Sequence, residues 1–150
     1  MITDNAFHGF WHYFTNDNFN RTRKLLEELN DCLANKVYTT DLQLDEILFS
    51  FGNPEAIGSR VRPYYMAVRD MGKDDPYGPY SLMALVYEIP LPESDFVKVS
   101  EAELPTYIGK VLLNILETQN APVKIRKQFD RDRFIADVRD FFVNVKGCKL

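Results

Sequence analysis

The sequence has few of the residues from which most active sites are built. Its 150 residues include two cysteines, two histidines and seven glycines. Cys32 and Cys148 stand far apart, and neither lies in a Cys-x-x-Cys or Cys/His motif, so neither a disulfide framework nor a zinc site is indicated. We expect a reduced compartment, with Cys32 as a buried thiol on a helix.

The two histidines do not form a recognisable metal or catalytic motif. His8 and His12 have the spacing of neighbours on a helix, but the zinc-protease motif requires Glu after the first histidine and position 9 is Gly. Aromatic packing near the N-terminus is the ordinary explanation for this pair. A serine, cysteine or threonine nucleophile needs a nearby base, and no such arrangement is visible.

The glycines are scattered, so phosphate-binding and hydrolase motifs are also absent. The chain contains no Gly-x-Gly-x-x-Gly, no Walker-type lysine and no Gly-x-Ser-x-Gly. Adjacent acids such as Asp74-Asp75 and Asp45-Glu46 are common on polar surfaces. We therefore predict no cofactor, no metal and no catalytic residue, although a small enzyme with a dispersed active site stays open as an alternative.

Long apolar runs are absent as well. No stretch approaches the ~20 residues that span a bilayer, and residues 1–5 lack the basic and apolar regions of a signal peptide, so we expect a cytoplasmic protein. The composition, 45% hydrophobic and 27% charged, is ordinary for a globular domain. A chain of this length buries roughly two-thirds of its unfolded surface. We predict one domain covering residues 1–150.

Apolar spacing predicts four amphipathic helices. The first covers residues 20–35, with Leu25, Leu26, Leu29, Cys32 and Leu33 on its buried face. The second follows Thr40 and carries Leu44, Ile47, Leu48 and Phe51. The third begins at the capping box of residues 100–103, or alternatively at Pro105, and ends near residue 120. The last is capped by Asp130 and directs Phe134, Ile135, Val138, Phe141, Phe142 and Val145 inward.

Strand signals lie between these helices. Residues 61–69 and 82–89 are rich in Tyr, Val, Met and Leu and should pair as a hairpin. Residues 96–99 form a third short run, and residues 7–14 suit a strand or an extended cover. Because strands are grouped between helices, the fold class is α+β: a single domain with a small, mostly antiparallel sheet packed with about four amphipathic helices.

Charge is unevenly distributed along the chain, whose net charge is −4. Acidic residues predominate in the first 58 positions and basic residues after position 122. The basic run of residues 124–127 raises the alternative of an RNA-binding module. Stacking on bases would require nearby aromatics, and only Phe129 and Phe134 are close, both expected in the core. A solvated helix face is the simpler interpretation, and nucleic acid is not the expected partner.

The connection between the two hairpin strands, residues 71–80, is long for a compact domain. Tyr77 and Tyr80 are stiffened by neighbouring prolines, and aromatic side chains of this kind supply contact area at low entropic cost. We predict that this loop contacts a partner through Asp74, Asp75, Tyr77 and Tyr80.

A second candidate surface is acidic. If the fold brings its carboxylates together, they would attract a basic protein by electrostatic steering. Its members are Asp41, Asp45, Glu46, Glu88, Glu93, Asp95, Glu101 and Glu103. Scattered solvated acids are the alternative.

The sequence resembles the small cytoplasmic immunity proteins of bacterial polymorphic-toxin systems, including those of contact-dependent growth inhibition. The resemblance lies in the size, the acidic balance, the aromatic strand segments 64–66 and 85–87, and the closing helix from Phe129 to Phe142. It implies a non-enzymatic protein that binds one cognate toxin, often a nuclease, and blocks it. A basic toxin domain is the partner we expect.

Overall fold

The computed structural model describes residues 16–34, 36–39, 46–55, 57–68, 80–122, 126 and 129–150. In chain order these residues form α1 (Asn16–Leu33), β1 (Glu46–Gly52), β2 (Arg60–Val68), β3 (Tyr80–Pro90), α2 (Glu93–Phe96), α3 (Leu104–Thr118) and α4 (Arg131–Asp140), and α4 continues into a π-helical turn (Phe141–Val145). The predicted α+β fold class is confirmed.

Helix α1 confirms the first predicted helix. Its leucines at positions 25, 26, 29 and 33 are buried in the main core. The prediction for Cys32 is wrong, because its side chain is exposed. Successive helical residues are separated by about 100° around the axis. Leu29 and Leu33 lie near the middle of the buried stripe, and Cys32 lies at its edge in the last turn, where solvent reaches it.

The sheet is mixed, with strand order β1-β3-β2. The predicted hairpin is confirmed, since β2 and β3 pair antiparallel from Arg60↔Glu88 to Val68↔Tyr80. Strand β1 lies on the other side of β3 and pairs parallel to it, from Glu46↔Ala84 to Gly52↔Pro90. The longer of the two pairings is therefore antiparallel, and β3 is central.

The predicted helix after Thr40 is wrong where the structure describes it, because β1 occupies Glu46–Gly52. Ile47 and Phe49 join the main core, whereas Leu48 packs with Val86 in a separate cluster. A strand buried on both faces reads as a continuous apolar run, which periodicity alone cannot distinguish from a buried helix.

The predicted strand at residues 96–99 is also wrong. Residues Glu93–Phe96 form the single-turn helix α2, in which the Phe96 N–H donates to the Pro92 carbonyl at 3.0 Å. Pro92 precedes this turn with a φ of −64°, a value that suits the start of a helix. Phe96 itself is fully buried, so the apolar signal at this position came from the core and not from a strand.

Helix α3 begins at Leu104, with Pro105 in its first turn. The Ser100 hydroxyl accepts a hydrogen bond from the Glu103 N–H at 3.3 Å, but this contact belongs to the turn before the helix. Of the two predicted starts, the one at Pro105 is the nearer. The apolar residues Ile108, Leu112, Ile115 and Leu116 of α3 are buried.

Helix α4 has the predicted N-cap, because the Asp130 side chain accepts a hydrogen bond from the Arg133 N–H. The predicted inward face is confirmed up to Phe142, but Val145 is 59% exposed. The reason is the π-helical turn, which closes hydrogen bonds over one more residue than an α-helix and so changes the direction of the side chains that follow. The Lys146 N–H, for example, donates to the Phe141 carbonyl at 3.0 Å.

The π-helical turn packs directly against α3 at a glycine. A Cβ atom placed on Gly109 would lie 2.9 Å from Cγ and Cδ1 of Phe142. Phe142 is fully buried and contacts Phe141 edge-on, with 5.0 Å between ring centroids. A Cβ at position 109 would therefore have to displace a buried ring, which explains why the close approach of α3 to the end of α4 favours glycine.

We predict that Gly109→Ala lowers the free energy of unfolding by about 1–3 kcal/mol, the usual cost of overpacking a core. Denaturant unfolding followed by circular dichroism measures this. Gly58→Ala is the matched control, since a Cβ there meets no atom within 4 Å, and its stability should be unchanged or slightly higher. Equal stability of the two variants would show that the α3 contact tolerates a methyl group.

Candidate functional site

Four of the predicted acidic residues lie on one connection, residues 93–103, which joins β3 to α3 and is called the acidic segment below. It carries Glu93, Asp95, Glu101 and Glu103 against a single base, Lys98. Asp95, Glu101 and Glu103 are exposed. These four acids lie within eleven residues of one another, on the connection that follows β3.

Arg21 of α1 fixes the position of the acidic segment. Its Nη2 donates to the Val99 carbonyl at 2.6 Å, and its guanidinium carbon lies 5.5 Å from the centroid of the buried Phe96 ring. The same arginine forms an ion pair with Glu101. Hydrogen bonding, cation–π contact and charge pairing therefore all act on residues 96–101, and this stretch is held against α1.

An exposed apolar residue lies among these acids. Val97 is 48% exposed and follows directly after α2. Its neighbours Asp95 and Lys98 are exposed as well. Protein interfaces commonly combine an apolar centre with a charged rim that steers the encounter. Val97 was not predicted, because residues 96–99 were assigned to a strand. The signal available in the sequence was an apolar residue two positions after Asp95, within a stretch rich in acids.

Glu88 does not belong to this exposed surface. It is 5% exposed on β3, and the side chains of Arg60 and Arg62 on β2 reach its carboxylate. Arg60 donates from Nε and from Nη2, the latter at 3.3 Å, and Arg62 donates from Nε at 2.7 Å. The antiparallel register explains the contact, because Arg60 lies directly opposite Glu88 and Arg62 is two residues further along β2, on the same face.

The two arginines determine the ionisation of Glu88. Burial on its own would raise the pKa of this carboxyl, but the hydrogen bonds and positive charges of Arg60 and Arg62 outweigh burial and hold the pKa below its ordinary value of 4.5. Glu88 is therefore charged in the folded protein and already bound within the sheet. Sequence reasoning treated it as one of a set of surface acids. The sequence feature that indicated this environment was the pair of arginines at alternate positions, Arg60 and Arg62, at the start of the predicted partner strand.

The remaining predicted binding residues are described in part or not at all. Asp41, Asp45, Asp74, Asp75 and Tyr77 lie outside the described residues. The backbones of Glu46 and Tyr80 are described, and these residues begin β1 and β3. Their contact with a partner stays a prediction.

The described ranges contain no group of three or more His, Cys, Asp or Glu side chains that could hold a metal ion. None of the helices described is long and apolar enough to cross a membrane. His8 and His12 lie outside the described residues, as do three of the four residues of the basic run 124–127. Its fourth member, Arg126, donates from Nε to the Ala121 carbonyl at 3.2 Å.

Comparison with known proteins identifies the class of this chain. A family model of immunity proteins matches residues 9–144, nearly the whole sequence. The chain is therefore an immunity protein of a toxin system, as the resemblance predicted. It belongs to the family described as Immunity protein 44. No curated protein and no solved structure matched the chain.

We predict that Glu88→Gln lowers the free energy of unfolding at pH 7 by about 1–3 kcal/mol, because a neutral amide cannot replace charge-assisted hydrogen bonds to two arginines. The folded pKa of Glu88 is lowered, so its stabilising effect is present above the ordinary pKa and is lost as the pH falls through the folded one. The variant should therefore lose less stability than the wild type between neutral and acidic pH.

Urea unfolding at a series of pH values tests both parts of this prediction. Glu117→Gln is the control, since Glu117 pairs with Arg139 but both side chains are about half exposed. Exposed pairs contribute about 0–1 kcal/mol, so this variant should stay close to the wild type. Parallel pH profiles for wild type and Glu88→Gln would contradict the proposed role of the arginines.

Proposed function

We propose that this immunity protein acts in the cytoplasm by binding a cognate toxin domain and neutralising it, without catalysis of its own. The observation that carries the proposal is the acidic segment, which bears the exposed side chains of Asp95, Glu101 and Glu103 together with the exposed Val97. Family membership supports a toxin as the partner. The charge of the segment favours a basic toxin, and a nuclease is one such class, since nucleases bind polyanions through positive surfaces.

The physical basis of neutralisation in this proposal is that the acidic segment complements the toxin surface in charge and in apolar contact. Carboxylates on a fixed segment attract a positive surface and raise the association rate, while a desolvated apolar centre slows dissociation. Arg21 holds the segment through Val99 and Glu101, so little conformational freedom has to be lost on binding. The acids then occupy positions on the toxin where its own anionic substrate would bind.

The overall proposal is tested by co-expression with a candidate toxin domain chosen from the genes that neighbour this one. Cells that carry the toxin domain should survive only when this immunity protein is also produced. Death of the cells despite soluble immunity protein would overturn the proposal. Binding of a catalytically inactive form of the same toxin domain, measured by isothermal titration calorimetry, gives the corresponding affinity.

For the acidic segment, we predict that Asp95→Lys weakens binding of the inactive toxin domain about tenfold, because it places a positive charge opposite a positive surface. The loss should shrink as salt is raised. Asp31→Lys is the matched control, with the same charge change at an exposed position near the other end of α1 from Arg21. Equal effects of both variants would mean that only net charge matters and that this segment is not the contact.

The predicted contact at residues 71–80, which include Tyr77 and Tyr80, gives a second, independent prediction. Replacing Tyr77 and Tyr80 together by alanine should weaken toxin binding at least tenfold, because aromatic anchors provide much of the energy of tight interfaces. The melting temperature should stay nearly unchanged if the two side chains serve binding. A melting temperature that falls in step with the affinity would assign these tyrosines to the core instead.

A further inference from the structure

The two outer strands of the sheet differ in their surroundings. On β1, every residue from Ile47 to Gly52 is buried. On β2, residues 60–63 are exposed or partly exposed, and no further strand in the described part of the chain pairs with the side of β2 that faces away from β3. That side is called the free edge below. A free edge presents unpaired N–H and C=O groups to which another chain can add a strand.

A proline lies inside β2. Pro63 is the fourth residue of this nine-residue strand and is opposite Leu85 of β3. Because proline has no N–H, it would remove a hydrogen bond from the ladder if its nitrogen faced β3. Within sheets, proline is therefore found on outer strands, with its nitrogen facing away from the neighbouring strand.

The backbone of β3 determines the direction of the Pro63 nitrogen. The Leu91 N–H, directly after β3, donates to the Gly52 carbonyl of β1 at 2.9 Å. Backbone N–H groups alternate in direction along a strand, so Leu85, an even number of residues earlier in the same continuous pairing, also directs its N–H and C=O toward β1. Pro63 and Leu85 therefore form a non-hydrogen-bonded pair of the β2–β3 ladder, and the Pro63 nitrogen faces the free edge.

This proline interrupts the row of donors along the free edge. By the same alternation, the backbone N–H groups of Val61, Tyr65 and Ala67 face outward, and at position 63 only the carbonyl remains. A strand added here would lack a hydrogen bond near the centre of β2. The proline ring, which is attached to the outward nitrogen, would also stand where the backbone of the added strand has to approach.

Other features that commonly protect a free edge are absent from β2 or weak. The strand has nine residues and is not short. Its pairing with β3 is one-to-one from Arg60 to Val68, so no bulge bends it. Arg62 and Arg60 are both ion-paired with Glu88 of β3, which compensates part of their charge. Along the backbone of β2, Pro63 is therefore the feature that acts directly on the groups of the free edge.

We propose that Pro63 blocks strand addition at the free edge of β2 and thereby keeps a second copy of this chain from pairing there. A second copy is the partner that this edge would fit, because two identical edges can pair antiparallel about a two-fold axis, each supplying the groups that the other needs. Without the proline, the sheets of two molecules would join into one continuous sheet. The inference does not depend on the identity of a toxin or on where it binds.

Pro63→Val in the full chain tests this inference, because valine restores the N–H and favours extended backbone. In sedimentation velocity over about a hundredfold range of concentration, the mass of this variant should rise toward twice that of the wild type. Pro54→Val is the matched control. It makes the same substitution at an exposed proline in the turn between β1 and β2, and its mass should equal that of the wild type at every concentration.

Amide hydrogen exchange locates the new contact. In Pro63→Val at high concentration, exchange at Val61 and Tyr65 should be slower than in the wild type, because their outward N–H groups become paired. A folded Pro63→Val that keeps the wild-type mass overturns the inference. So does a rise in mass without slower exchange at these two amides, since the association then uses another surface. Should circular dichroism show that Pro63→Val does not fold, Pro63→Thr, which restores the same N–H, decides the question.

Discussion

The position of every other described strand depends on the pairing of β3 along both of its edges. The strand contributes Leu85, Tyr87 and Ile89 to the main core, while Val86 and Glu88 face the opposite side, and all five are buried. Helix α3 packs against the same strand. The acidic segment starts three residues after β3 ends, so its location is set by the sheet. A binding surface on this connection would therefore be attached directly to the central strand of the sheet.

Because β3 is buried on both faces, the charged carboxylate of Glu88 is largely removed from water, and arginines of the neighbouring strand β2 compensate its charge. A buried carboxylate without partners would take up a proton or destabilise the fold. The edge strand β2 supplies two arginines at alternate positions, and their side chains remain substantially exposed. The register of the hairpin is thereby tied to charge pairing, because a shift of one residue would turn both arginines to the other face.

The sequence was informative where local signals agree with tertiary structure. The leucine stripe of α1, the Asp130 cap and the two hairpin strands were predicted because spacing, capping and turn residues pointed in the same direction. Strand β1 was missed because an apolar run such as Ile47 to Phe51 satisfies both helical and extended templates. Val145 was placed inward because nothing in the sequence marks a π-helical turn, which changes the phase of the residues after it.

The candidate site was predictable only in part, for a related reason. Acids at positions 93–103 are close in the chain, so their grouping follows from sequence. Glu88 contacts Arg60 and Arg62 only because of the register between β2 and β3. The length of the connection between these strands does not determine that register. The exposure of Val97 depends on which apolar side chains the core leaves outside, and that selection is made by packing across elements far apart in the sequence.

The order of the sheet also has a consequence for how the chain reaches this state. Strands β2 and β3 are consecutive and can pair as a hairpin, whereas β1 must join β3 in parallel across the whole hairpin, with Glu46 beside Ala84. Closing such a long segment is slow compared with local pairing. Until β1 docks, one edge of β3, with its apolar residues, offers open backbone groups to other chains. Rapid production of this protein therefore carries a risk of aggregation, which conditions that slow synthesis or assist folding should reduce.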